Sequence, residues 1–230
     1  MKTFIHNELL TPVQMETITI DGKRYYLTPT GNKHKSVTTV IGNNKAKKQG
    51  IMEWRKRVGE EKANKISSHS TRRGNRYHKL TENYINNEHD ANLYADDPLV
   101  WLMFNSSLEI LNNINNVYLQ EAALYSDKLR IAGRVDCIAE YNGKLSIIDF
   151  KTSEKVKKEA YLYDYYVQEV AYACMLQELY SLNVEQLVTI VVCESSDVQV
   201  SIQPPKKEYF IKLQQYIQEY EESYERNNRG

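Results

Sequence analysis

The pair Asn142-Gly143 limits what this chain can fold into more than any other feature. It separates two β-rich runs, 130–141 and 144–151, and Asn-Gly between such runs is the strongest short signal for a two-residue hairpin. A two-residue loop pairs Tyr141 with Lys144 and, counting outward, Asp136 with Asp149. Directly opposed residues share a face, with Cβ atoms about 4.5–5.5 Å apart. Lys151, two residues past Asp149, lies on that same face. Val135, Ile138, Ile147 and Ile148 nearby mark a largely buried sheet, where two facing carboxylates repel unless something positive lies between them.

A divalent cation resolves the conflict, since two carboxylates and a backbone carbonyl suit a hard ion such as Mg²⁺. An ordinary cross-strand ion pair with Lys151 or Arg134 resolves it as well, and a bulge would shift the register. On the residues alone both readings stay open. Two helical pairs add to the pattern. His78 and Glu82 lie four apart on a helix expected from about Thr71 to Asn87, so they share a face. Arg72, Arg73 and Arg76 crowd the expected start of that helix, where backbone N–H groups favour anions such as phosphates. Gln168 and Tyr172 form the second pair, on a helix expected over 159–182. Each pair also has a plainer explanation: a surface histidine on a basic helix, and a tyrosine-rich helix packing on the sheet.

The remaining elements read as short extended pieces over 16–20, 24–27 and 35–41, helices over 50–66, 71–87 and 98–118, and a strand over 121–125. Strands follow the long helix at 186–193 and 198–203, and a polar helix covers 206–226. This order predicts an α/β fold with a mixed central β-sheet flanked by helices, behind a helical N-terminal part.

Composition narrows the function. Thirty Lys/Arg balance thirty Asp/Glu, which argues against indiscriminate coating of nucleic acid. The balance is uneven, however: residues 45–79 hold twelve Lys/Arg against three acids. That stretch is either a confined phosphate-binding surface or a solvated helix face. Trp54 and the tyrosines offer rings for stacking bases, or for packing the core. No apolar run approaches the roughly 18–20 residues of a membrane span, and the first 23 residues lack Arg and an apolar core. Three cysteines, Cys137, Cys174 and Cys193, lie far apart with no C-x-x-C pair. A reducing cytoplasm is expected, with no membrane association.

Taken in order, the motifs resemble a known family. Arg73-Gly74-x-x-x-His78-x-x-x-Glu82, Gly133-Arg134-Val135-Asp136, Ile148-Asp149-Phe150-Lys151-Thr152 and Gln168-x-x-x-Tyr172 resemble the RecB-type branch of the PD-(D/E)XK nucleases. Ser36-Val37-Thr38-Thr39-Val40 is further similar to the mitochondrial genome maintenance exonucleases and their phage relatives. The resemblance implies a restriction-endonuclease-like core and one nuclease domain over 1–230. Its parts would be an extended segment at 1–48, a basic helical part at 49–118, a catalytic core at 119–203 and a C-terminal helix at 204–230.

It implies His78, Asp136, Asp149 and the Phe150 carbonyl as metal ligands, and Lys151 as the residue that positions or activates water. Gln168 and Tyr172 would support the site and contact DNA, together with Ser36 and Thr38 upstream, and Glu121 matches an acid found in many relatives. Mg²⁺, with Mn²⁺ as a substitute, would drive phosphodiester hydrolysis at single-stranded DNA ends, leaving 5′-phosphates. A bacterial or phage-infected cell is the implied setting, with replication or recombination proteins as partners. Three cysteines cannot supply the four-cysteine iron–sulfur cluster of some relatives, and no Walker A motif is present for a fused motor. Two enzyme alternatives share the same site, a duplex exonuclease and an endonuclease. Outside that class stand an inactive DNA-binding module on this scaffold and a structural protein indifferent to metal.

Overall fold

The computed structural model describes residues 2–88, 90 and 92–228. Eight strands build one sheet: β1 (Glu16–Ile20), β2 (Lys23–Leu27), β3 (Lys33–Ser36), β4 (Ile114–Ser126), β5 (Ile131–Tyr141), β6 (Lys144–Ser153), β7 (Gln186–Cys193) and β8 (Val198–Gln203). Their order is β1-β2-β3-β5-β6-β7-β8, with β4 paired to β5 off that path. Among the described residues six α-helices accompany them, α1 (Val37–Gly42), α2 (Lys45–Val58), α3 (Glu60–Ile85), α4 (Pro98–Leu111), α5 (Tyr163–Tyr180) and α6 (Lys207–Asn228), with a short 3-10 turn at Glu159–Tyr161.

The most apolar run of the sequence becomes β7, buried at every position and paired parallel to β6 and antiparallel to β8. Parallel neighbours need a crossover, and α5 supplies it. Side-chain alternation then builds two cores. Ile147 and Val191 pack with α1, α5 and α6 on one face, while Ile148 and Ile190 pack with α3 and α4 on the other. The expected mixed sheet flanked by helices is therefore the observed fold.

Several boundaries differ from expectation, each for a physical reason. Residues 37–41 are helical rather than extended. The Ser36 hydroxyl accepts the Thr39 N–H at 3.0 Å, and Val37, Val40 and Ile41, spaced for one helix face, are all buried. Packing of that face outweighs the β preference of its branched residues. The break expected between 66 and 71 lies instead at Gly59, whose φ of 86° ends α2 and opens α3. Glu60 and Glu61 in the first turn of α3 favour that start. The helix expected over 98–118 stops at Leu111, and residues from Ile114 onward join β4 by pairing with β5.

Candidate active site

The site grows from a fork in the sheet. β4 pairs along the whole of β5, from Ser126↔Ile131 to Ile114↔Tyr141, and occupies one edge. The other edge is shared. β6 takes it from Tyr141↔Lys144 as far as Cys137↔Ile148, and β3 takes it at Ile131 and Ala132. The hairpin register is thus the one expected, but regular pairing stops one residue short of Asp136 and Asp149. Gly133–Asp136 border the resulting gap. Asp136 Oδ2 reaches across it and accepts the Phe150 N–H at 2.8 Å, so a side chain replaces the lost backbone partner.

On the α5 side of the fork lies a dry group. Asp149 is 2% exposed; its Oδ1 accepts Gln168 Nε2 at 3.2 Å, and its Oδ2 forms an ion pair with Lys151 Nζ. No aligned hydrogen bond reaches Oδ2. Lys151 Nζ also sits 5.2 Å from the centre of the Tyr165 ring. Burial pushes the Asp149 carboxyl up to about 6, against the pull of Lys151 and with a further push from Asp136. Burial opposes the charge of Lys151, but Asp149 and Asp136 outweigh it and hold the ammonium above its ordinary range. Behind Asp149, its neighbour on β7 is Thr189, whose hydroxyl donates to the fully buried Glu169. Burial and the nearby Asp149 push the Glu169 carboxyl well up.

Gln168 and Tyr172 divide their expected roles. Tyr172 is buried against β5, where a Cβ added to Gly133 would lie 2.8 Å from its Cε1. The glycine of the Gly-x-x-Asp segment therefore admits the tyrosine ring, and Tyr172 packs behind the strand.

On the α3 side the groups are spaced more widely. His78 Nδ1 lies 3.8 Å from Asp136 Oδ2 and 4.0 Å from Glu121 Oε1. Tyr77, fully buried with its hydroxyl donating to Ser107 of α4 at 3.1 Å, fixes the rotation of α3 that presents His78. Glu121 arrives by an irregularity. Leu119 and Ala122 of β4, and Val135 and Ile138 of β5, all enter the α5-side core. Residues three apart on a regular strand point to opposite faces. Both strands therefore depart from regularity there, and Glu121, with φ at 47°, is where β4 does so. The flanking pairs Gln120↔Cys137 and Ala122↔Val135 set Glu121 opposite Asp136.

One ligand atom each from His78, Glu121 and Asp136 falls within 4.8 Å of the others. These separations are too long for hydrogen bonds. They are close to the about 3–4.2 Å between donors around one ion at 2.1 Å. An imidazole with two carboxylates suits Mg²⁺ or Mn²⁺, and the unaligned Asp149 Oδ2 lies across the fork. The donor set fits a divalent cation. Burial alone would lower the His78 pKa, but Asp136 and Glu121 overcome it and the net shift is upward.

This cluster floors a cleft of about 490 Å³ lined also by Arg24, Asn75, Lys79, Glu82 and Arg134. A pocket of about 470 Å³ between α5 and α6, lined by Val170, Cys174 and Phe210, holds none of these groups and is more apolar. The expected phosphate-binding arginines are placed otherwise than their spacing implied. Arg72, Arg73 and Arg76 lie in the middle of α3, so no helix N-terminus assists them. Arg73 is buried in an ion pair with Glu194, which His69 joins at 3.2 Å. Arg76 is held by Asp97 at 2.9 Å and Asp96 at 3.3 Å. Arg72 remains exposed. Ser36 is buried in its helix cap, whereas Thr38 is exposed. Glu82 pairs with Lys79 at 3.0 Å, and Trp54 is half-buried on α2. The structure adds Tyr165, Arg24 and the cleft-facing position of Arg134 to the surroundings of the site. Only Arg134, two residues before Asp136, carried a signal that could have been found.

Comparison with known proteins agrees with this geometry. The chain is 31% identical over 128 residues to the human mitochondrial genome maintenance exonuclease 1, covering 53% of this chain and 37% of that protein. The mouse protein of that name is 31% identical over 148 residues, covering 61% and 44%. The Xenopus tropicalis protein is 48% identical over 48 residues, covering 21% and 14%. The chain thus matches less than half the length of these curated relatives. The sequence profile of the PD-(D/E)XK nuclease superfamily matches residues 34–229, most of the chain. By that match, and with the fork built as described, the chain belongs to the PD-(D/E)XK nuclease superfamily.

Proposed function

We propose that this chain is a divalent-metal-dependent exodeoxyribonuclease that hydrolyses phosphodiester bonds at single-stranded DNA ends, in DNA replication, recombination or processing. The observation that carries this reading is the position of Asp136 in the fork, between the His78–Glu121 group and the Asp149–Lys151–Gln168 group. The exonuclease names of the relatives support the mode of cleavage. In this reading His78, Glu121, Asp136, Asp149 and the Phe150 carbonyl hold Mg²⁺, with Mn²⁺ as substitute. When bound, such an ion polarises the scissile phosphate and lowers the pKa of a bound water.

The chain's own residues do the rest. Lys151, kept charged by two carboxylates, orients the attacking water for in-line displacement of the 3′ oxygen. Gln168 holds Asp149 by Oδ1, which leaves Oδ2 toward the reaction. Tyr172 braces the Gly133 strand so that Asp136 stays in the gap. The exposed basic residues of α2 and of the first half of α3 attract the DNA backbone, so binding weakens as salt rises. Among the described residues no helix is long and apolar enough to cross a membrane. A cytoplasmic setting in a bacterial or phage-infected cell, with replication or recombination proteins nearby, completes the reading.

The test is a gel assay on end-labelled linear and circular single-stranded DNA, with Mg²⁺ or EDTA, comparing wild type with Lys151→Ala. Mg²⁺-dependent loss of linear DNA alone, abolished in the variant, is the expected result. Cutting of circles would make the protein an endonuclease, and binding without cleavage under any divalent metal would refute the enzyme reading.

A further inference from the structure

Two of the three arginines that precede His78 on α3 are occupied elsewhere, which raises the question of what grips substrate beside the cluster. Arg73 and Arg76 are neutralised by Glu194, Asp96 and Asp97. Two other arginines line the cleft itself: Arg24 of β2 and Arg134 of β5. Arg24 is exposed and makes no ion pair with any residue whose side chain is described. Arg134 is 57% exposed, and its nearest carboxylate oxygen, on Glu121, is 4.0 Å away, the outer limit of an ion pair.

Their placement follows from the sheet. Arg134 and Asp136 are alternate residues of one strand, so their Cα atoms are about 7 Å apart along the same face. β3 joins β5 at Ala132 and β2 joins β3, so Arg24 comes to the same wall from two strands over, a distance of roughly 10 Å. Long guanidinium side chains span that interval. A cleft with cation ligands on its floor and two uncommitted guanidinium groups on one wall suits a polyanion, whose next charge lies one repeat along from the reacting one. Guanidinium is the group best matched to phosphate oxygens, through paired N–H donors.

We propose that Arg24 and Arg134 grip the backbone phosphate next to the scissile one and so hold the strand in register over the cluster. This inference rests on the nuclease reading above and extends it to two residues with no role in that reading.

Binding of a fluorescent single-stranded oligonucleotide in EDTA, measured by anisotropy over a range of NaCl concentrations, separates the contacts from cleavage. Each of Arg24→Gln and Arg134→Gln should reduce the slope of log K against log [salt] by about 0.7, and the double variant by about twice that. Arg134→Lys should restore the slope, and Lys144→Gln at the hairpin tip should leave it unchanged. An oligonucleotide with one uncharged methylphosphonate beside the scissile linkage gives a second reading. It should bind wild type more weakly than the all-phosphate strand and bind the double variant no worse. Unchanged slopes, or an undiminished methylphosphonate penalty in the double variant, would overturn the assignment while wild-type cleavage left the nuclease reading intact. A wild type that neither bound nor cut DNA would overturn both.

Discussion

The two sides of the fork solve the same electrostatic problem in opposite ways. On the α5 side Asp149 pairs with Lys151 and accepts from Gln168 in a nearly dry setting, with Tyr165 over the ammonium. On the α3 side His78 approaches Asp136 to 3.8 Å and Glu121 to 4.0 Å without hydrogen-bonding either, at the floor of an open cleft. Asp136, in the gap between strands, belongs to both. The contrast teaches a division of labour. In the proposed reading, the buried side holds one fixed positive charge in one place, a preorganisation that costs no rearrangement during reaction. In that reading the open side keeps its donor groups apart, so that a cation would add what the protein leaves out.

Four changes would break or sharpen this contrast. The largest effect is expected at the buried side: Lys151→Ala should lower the cleavage rate by about 10²–10⁴-fold with the circular dichroism spectrum unchanged. At the open side, His78→Ala or Glu121→Gln should weaken Mn²⁺ binding by about 10-fold or more, the scale of even outer-sphere changes. Calorimetric titration reads this directly, and DNA affinity in EDTA should fall much less. The same titration should show a pH dependence. A protonated imidazole cannot ligate, and the His78 pKa is raised above 6.5, so metal affinity should fall with acidification starting above that value.

A third test addresses the support behind the fork. Gly133→Ala places a methyl group against the fully buried Tyr172 ring and should cost about 1–3 kcal/mol in urea unfolding. A double-mutant cycle with Tyr172→Leu should recover much of that loss. The smallest effect concerns Glu169. Its carboxyl titrates higher in the folded than in the unfolded chain, so the folded protein binds the extra proton and loses stability as pH rises above the ordinary carboxylate value. Glu169→Gln removes that loss while keeping an acceptor for Thr189. Its unfolding midpoint relative to wild type should therefore climb between pH 5 and pH 8, and parallel curves would show that Glu169 is already paired with a compensating charge.

Much of the site was legible because its centre is local. Asn142-Gly143 sets the register of the two strands it joins as far as Cys137↔Ile148, and so brings Asp136 and Asp149 to the edge of the gap just beyond. The i, i+4 spacing of Gln168 and Tyr172 correctly gave them one helix face, since both point at the fork. The arginines of α3 were misread for the complementary reason. Their spacing suggested a helix start, but the ion partner of Arg73 lies 121 positions away and those of Arg76 lie 20 and 21 away. Residues 37–41 were misread because branched residues favour strands in isolation, while burial of one helix face decided the matter.

By itself, then, the sequence determined the hairpin and its register up to Cys137↔Ile148, the buried central strand at 186–193 and a mixed sheet between helices. Each depends on contacts within a turn or on a periodicity readable in a short window. Only the tertiary structure decided where the hairpin splits, that Glu121 and not Glu82 joins His78 and Asp136, that Arg73 and Arg76 are neutralised, and that Arg24 shares a cleft with Arg134. Those outcomes depend on which strands become neighbours across long stretches of chain, a choice made by the packing of whole faces against one another.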